Sequence, residues 1–179
     1  MISLHRFSDI HTHDIGAPAD SLICISPYGH IRPDRFYSAG IHPWDTADEQ
    51  SARDALAHLA LILPSEQIAA IGECGLDALR GGPAAIQEEI FMAQARLAEQ
   101  YGLPVIIHCV RRFDTLIRLH RELNPHSEWI IHGFRGKPQL ARELLRHGFS
   151  LSFGHTRNEE SFSITPPERR YSESDSPGL

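Results

Sequence analysis

The chain has 179 residues, 41% hydrophobic and 22% charged, enough for one domain over residues 1–179 with roughly two thirds or more of its unfolded surface buried, and too apolar for wholesale disorder. Seventeen Lys and Arg against 23 Asp and Glu give a net charge of −6, which excludes a generally cationic nucleic-acid clamp. There is no apolar run near the ~18 residues of a membrane span and no secretion stretch after Met1, and three Cys make no disulfide framework, so a reducing cytoplasm is expected.

Residues 7–10, 21–26 and 36–41 are short apolar runs that predict three strands, with no strong helix readable between them. Residues 48–63 then carry Leu56, Leu59, Ala60 and Leu63 on one side of a helix that stops at Pro64. A fourth strand is expected over 68–72. The helix 84–101 aligns Ile86, Ile90, Ala93, Leu97 and Tyr101 and closes at Gly102. A fifth strand (105–108), a helix over 112–123 ending at Asn124-Pro125, a sixth strand (129–132) and a helix over 138–147 opening on Pro138 follow. The seventh strand (149–153) leads with no readable helix to an eighth (170–175), polar at nearly every position. Continuous apolar strands alternating with helices imply parallel pairing with right-handed crossovers. The expectation is a compact TIM-type (β/α)8 barrel with trimmed early crossovers and no closing C-terminal helix. At about 22 residues per unit it lies below the ~200 residues at the short end for this fold.

The His and carboxylate positions follow the strand ends. His11 and His13 follow the first strand, Glu73 the fourth; His108 ends the fifth, His132 the sixth and Asp175 the eighth. In a parallel barrel these ends open on one face, where active sites are built. His11 and His13 are two apart, so on extended backbone both point the same way. Imidazole and carboxylate suit Zn, Mn or Mg, and six ligands exceed the need of one tetrahedral ion but suit two. Two such ions can share a water and clamp a phosphoryl or carbonyl oxygen. His5, His30, His58, His120, His126, His147 and His155 are read as ordinary structural or surface histidines.

In order along the chain stand Asp9-Ile-His-Thr-His13, Ala39-Gly-Ile-His-Pro43, Ala70-Ile-Gly-Glu-Cys-Gly-Leu-Asp77, Leu103-Pro-Val-Ile-Ile-His108, Ile131-His-Gly-Phe-Arg-Gly136 and Glu173-Ser-Asp-Ser176. This ordered set resembles the TatD family of metal-dependent hydrolases, deoxyribonuclease-like members of the amidohydrolase-like barrels, in a compact bacterial form. The resemblance implies hydrolysis of phosphodiesters by a metal-activated water. His11, His13 and Asp175 would hold one of two divalent ions (Zn, Mg or Mn) with Glu73, and Glu73, His108 and His132 the other. Glu73 and Asp175 would be catalytic, Asp175 as general base. His42 and Arg135 would bind substrate, His42 having a loop-capping role as its alternative. Arg111 and Arg112 are read as phosphate-binding or solvated, Asp77 and Asp114 as orienting or helix-start carboxylates, and Trp44 and Phe134 as base-stacking or packing residues. Cys74 and Cys109 should turn outward beneath the helices.

DNA ends or a small molecule are the expected substrates, with no membrane partner. Two alternatives remain open at this point. One is an amide, lactone or ester hydrolase on the same scaffold. The other is an impaired relative: family members continue past the last Asp to a closing helix, and Ser172 is polar where an apolar residue is usual. A fraying eighth strand would misplace Asp175 and leave an edge for a second copy or a partner to cover.

Overall fold

The computed structural model describes residues 3–177. Its eight strands are β1 (Asp9–Thr12), β2 (Ser21–Ile25), β3 (Phe36–Ala39), β4 (Ile68–Asp77), β5 (Val105–Val110), β6 (Trp129–Ile131), β7 (Ser150–Phe153) and β8 (Arg170–Ser172). Each pairs in parallel with the next in a single sheet ordered β1 to β8, the expected barrel. The helices are α1 (Glu49–Ile62), α2 (Ala84–Tyr101), α3 (Phe113–Leu123), α4 (Pro138–Arg146) and α5 (Glu159–Ile164).

Local chemistry sets their ends. Asp48 caps α1 by accepting Ser51 N–H at 2.6 Å, and α2 stops at left-handed Gly102 (φ 63°). Helix α3 stops at left-handed Asn124, and Pro138 opens α4. Helix α5 was not expected. It is one short, Asn158-capped element with too few residues to show an apolar stripe. Phe162 anchors it at 5.3 Å from the Phe153 ring, with the Arg157 and Arg170 guanidinium groups over its faces.

Two apolar clusters divide the core. The larger lies between sheet and helices and includes Ile107, Trp129, Ile131, Leu151, Leu59, Phe91 and Leu144. The smaller fills the barrel's lower interior with Ile10, Leu22, Ala70, Ile106, Ile130 and Tyr171. The two-residue period of a strand then determines what faces the upper interior. Two residues beyond Ile106 is His108; beyond Ile130, His132; beyond Leu22, Cys24; beyond Tyr171, Glu173.

Three boundaries differ from expectation. Strand β4 runs ten residues, all buried, so Glu73 lies within it rather than after it. His108 likewise lies inside β5. Strand β8 ends at Ser172, so Asp175 stands beyond it. The segment after β8 does not fray. Glu173 N–H donates to Phe153 C=O (3.2 Å), Asp175 N–H to His11 C=O (3.0 Å), and His13 N–H to Ser176 C=O (2.9 Å). The last two of these bonds close the barrel in place of a β8–β1 ladder, and the edge a second copy would cover is occupied by the chain's own β1. Residues 173–177 hold no helix.

Candidate metal centre

Glu73 is 6% exposed and stands at the centre of the barrel mouth. Its backbone is squeezed between β3 and β5. A Cβ at Gly72 (φ +146°) would lie 2.6 Å from Ile106 O, and one at Gly75 (φ +147°) 1.9 Å from His108 O. The two glycines around Glu73 are what let β4 approach this closely.

The carboxylate divides its oxygens between two groups of rings. Oε2 faces His11 Nε2 and His13 Nε2, each at 3.4 Å. Oε1 faces His132 Nε2 at 2.8 Å, His108 Nδ1 at 2.9 Å and His42 Nε2 at 3.1 Å. Asp175 Oδ1 reaches His11 Nε2 at 3.5 Å. All six predicted ligands therefore converge, and His42 joins them. Asp175 reaches its place through a left-handed backbone (φ 48°), a conformation Asp tolerates.

These donors fit a cation. Both nitrogens of His11, which is fully buried, lack a hydrogen-bond partner, as does His132 Nδ1. Two ligand atoms each ~2.1 Å from a tetrahedral ion lie roughly 3.4 Å apart. The spacings of His11, His13 and Asp175 match that edge length and are too long for good hydrogen bonds.

Electrostatics follow from burial and crowding. Burial alone would raise the Glu73 carboxyl, but His108, His11, His13 and His132 together hold it far below the carboxylate range. Burial lowers His11 and His132, and the carboxylates around them outweigh it, pushing His11 up to about 9 and His132 up to about 10. The His11 ring beside it leads the causes that lower Asp175. Burial pushes the Cys24 thiol up.

Carboxylates also stand behind two of the rings. His108 Nε2 donates to Asp77 Oδ2 at 3.1 Å, leaving Nδ1 free to face Glu73. Asp77 is itself buried, and it accepts Trp44 Nε1–H at 2.7 Å and Leu79 N–H at 2.7 Å. Behind His132 lies the fully buried side chain of Glu173, 3.4 Å from Nδ1 and accepting Gly133 N–H at 2.7 Å. Glu173 had no role in the sequence reading. Its signal was the two-residue step from Tyr171.

Two glutamines were also missed. Gln87 and Gln94 on α2 are buried and spend their amides on loops of the mouth. Gln94 exchanges two bonds with Ile41, beside His42, and Gln87 accepts Asp77 N–H while donating to Asp77, Arg80 and Gly82 carbonyls. Their spacing of seven with Ile90 between marks one inward helix face.

The cavity over Glu73 measures about 410 Å³, and His13, Cys24, His42, Trp44, His108, His132 and Asp175 are among its lining. His42 fills both of its expected roles: Nδ1 accepts Trp44 N–H at 3.2 Å, so the ring proton sits on Nε2 toward the cavity. Arg135 is exposed and lines a neighbouring hollow with Arg111, joined to the cavity through His132. Arg112 is paired with Glu88 instead. Phe134 is 2% exposed and packs on Phe153, which excludes stacking on a ligand, whereas Trp44 stays 44% exposed with Arg80 against its ring. Cys74 is buried in the outer core, as expected. None of the seven histidines read as ordinary lines this cavity.

Comparison with known proteins agrees with this geometry. The sequence model of the TatD related DNase family matches residues 23–179. An uncharacterized metal-dependent hydrolase, YabD of Bacillus subtilis, is 36% identical over 124 residues, 68% of this chain and 48% of that protein. The 3'-5' ssDNA/RNA exonuclease TatD of Cronobacter sakazakii is 34% identical over 157 residues, 79% of this chain and 57% of that protein. The chain thus spans about half the length of the curated relatives it matches. Among solved structures, YJJV, a TatD homologue from Escherichia coli K12, superposes with a TM-score of 0.77 at 21% identity, covering 97% of this chain and 80% of that one. Neither alternative from the sequence is favoured: Asp175 is held beside His11, and the buried carboxylate of Glu73 occupies the centre. By motif order, barrel and match, the chain belongs to the TatD related DNase family.

Proposed function

We propose that this chain is the catalytic body of a divalent-metal-dependent phosphodiesterase that removes nucleotides from the end of single-stranded nucleic acid. The observation that carries the reading is Glu73, one carboxylate with each oxygen directed at its own group of imidazoles. Relatives described as 3'-5' ssDNA/RNA exonucleases support the substrate class. No described helix is long and apolar enough to cross a membrane, and Cys24, Cys74 and Cys109 are free thiols, in keeping with work in the cytoplasm.

His11, His13 and Asp175 would hold one ion on the Oε2 side of Glu73, and His108 and His132 a second on the Oε1 side. Two such ions, Zn, Mg or Mn, would supply an acidified water and neutralise phosphoryl charge. Asp175, held ionised by His11 and open to the cavity, accepts the proton of the attacking water. The water oxygen–phosphorus bond forms as the ester P–O bond breaks. His42 donates its Nε2 proton in a hydrogen bond to a phosphate oxygen or to the departing oxygen. Trp44, pinned by Asp77 and backed by Arg80, offers a face for the terminal base. Arg135 and Arg111 meet the next phosphate in the adjoining hollow. With a net charge of −6, affinity rests on the end and not on tracking along a duplex.

The test is metal analysis of the purified protein, then assay on a 5'-labelled single-stranded oligonucleotide with Zn, Mg or Mn. Stepwise release of mononucleotides, abolished by chelator and by Glu73→Gln or Asp175→Asn, is expected. Hydrolysis of lactones or N-acetyl amides with the oligonucleotide left intact would replace this reading.

A further inference from the structure

Cys24 sits where the expected ligand set has no member. It lies on β2, two residues beyond inward-facing Leu22, beside β1 where Ile23 pairs with Thr12. A nitrogen of His11, a nitrogen of His13, a carboxylate oxygen of Glu73 and the Cys24 sulfur all lie within 4.8 Å of one another. His11 is fully buried and its Nε2, unpartnered, aims into this group. The sulfur also accepts Glu73 N–H at 3.3 Å, the kind of bond that steadies a thiolate on a metal.

We propose that Cys24 is a sulfur ligand to the ion on the His11–His13 side. The inference rests on the metal reading above and deepens it. On binding, the thiol proton leaves to solvent and a sulfur lone pair forms the metal bond. His11, His13, Glu73 and Cys24 would then offer this ion two nitrogens, an oxygen and a sulfur, a donor set of the kind zinc favours. Asp175 groups with His11 and His132, not with Cys24, and keeps its place beside His11. The Oε1 side, with His108 and His132, has nitrogen and oxygen donors only. The two halves therefore differ in preference: a soft, zinc-like ion beside Cys24, and a site accepting magnesium or manganese beside His108.

The test uses the whole protein loaded with cobalt(II). Wild type should show a near-ultraviolet sulfur-to-cobalt charge-transfer band that disappears in Cys24→Ser at equal cobalt content. Competition between zinc and magnesium should show the variant's zinc preference reduced. Should the variant fold poorly, cadmium-113 resonance of wild type decides: one signal belongs far downfield, in the range of sulfur ligation. Bound cobalt with no sulfur band, or a band unchanged in the variant, overturns the ligand and leaves the phosphodiesterase reading intact. Failure to bind any ion overturns both.

Discussion

His108 is gripped from both sides: Nδ1 stands 2.9 Å from Glu73 Oε1 while Nε2 stands 3.1 Å from Asp77 Oδ2. The second bond fixes both the ring's tilt and its tautomer, so the nitrogen toward Glu73 is the one with a free lone pair. Asp77→Ala should weaken metal binding about 10–100-fold, the usual cost of losing such support. Because Trp44 loses its Nε1 partner at the same time, its emission should shift as well. Calorimetric titration of the metal checks the first claim and fluorescence the second. Unchanged metal affinity would show that Asp77 serves the loop alone.

The His108–Asp77 pair was half legible in the sequence. The strand-end rhythm of His11, His13, Glu73, His108, His132 and Asp175 gave the cluster, because inward-facing positions of parallel strands converge wherever the barrel opens. What lay behind the cluster was harder to see. Asp77 reads equally as a helix-start carboxylate, and Glu173 as one more charge in a polar tail. Gln87 and Gln94 look like surface positions until α2 is docked, since their partners are backbone groups of distant loops. Helix α5 escaped for lack of length, and closure by residues 173–176 escaped because it depends on single backbone bonds, which leave no apolar pattern.

Glu173 repeats the arrangement behind His132. Its side chain is fully buried, yet its one hydrogen bond is from Gly133 N–H to Oε1, which also stands 3.4 Å from His132 Nδ1. Glu173→Ala should lower metal affinity by a similar 10–100-fold. Glu173→Gln, which keeps an acceptor for Gly133, should lose less. A double variant with Asp77→Ala should depart from the sum of the single losses, because His108 and His132 share Glu73 Oε1. Equal metal affinity in wild type and Glu173→Ala would remove the second support.

The crowded carboxylate makes the metal-free protein pH-sensitive in a definite direction. His11 and His132 are raised from 6.5 to about 9 and about 10 by the carboxylates beside them. A raised folded-state value stabilises fully below 6.5 and is lost as pH climbs through 9 to 10. Glu73 and Asp175 are lowered, so their contribution holds above the normal carboxylate range and is lost on acidification. Chelated protein should therefore melt highest just below neutrality and fall steadily toward pH 10. Metal binding should release protons through the same alkaline window, with affinity rising with pH. A melting temperature flat from pH 6.5 to 10 without metal contradicts this coupling.

The β4–β5 approach is set by Gly75, whose added Cβ would stand 1.9 Å from His108 O at a φ of +147°. Overpacking of this kind costs about 1–3 kcal/mol, and the positive φ adds strain for any side chain. Gly75→Ala should lower the urea midpoint with little change in slope. It should also displace the backbone carrying His108, so metal affinity falls together with stability. A stable Gly75→Ala protein that binds metal normally would mean that β5 can move away without disturbing the cluster.

Barrel closure converges on Asp9. One carboxylate accepts His11 N–H at 3.1 Å, Ser174 N–H at 3.1 Å and the Ser174 hydroxyl at 2.6 Å. It joins the start of β1 to the segment that carries Asp175, doing with a side chain what a β8–β1 ladder would otherwise do. Bonds to a charged acceptor are each worth about 1.5–3 kcal/mol, but the site is partly open to water and the chain can relax. Asp9→Ala should thus destabilise by roughly 2 kcal/mol in total. Its sharper effect should be local. Residues 173–176 should lose protection from hydrogen exchange, and nucleotide release should fall through Asp175 even where metal content is restored by excess ion. Ser174→Ala, removing only the hydroxyl bond, should show the same pattern more weakly. If Asp9→Ala speeds exchange only globally and leaves turnover at full metal occupancy unchanged, Asp175 owes its position to the backbone bonds alone, Asp175 N–H to His11 C=O and His13 N–H to Ser176 C=O.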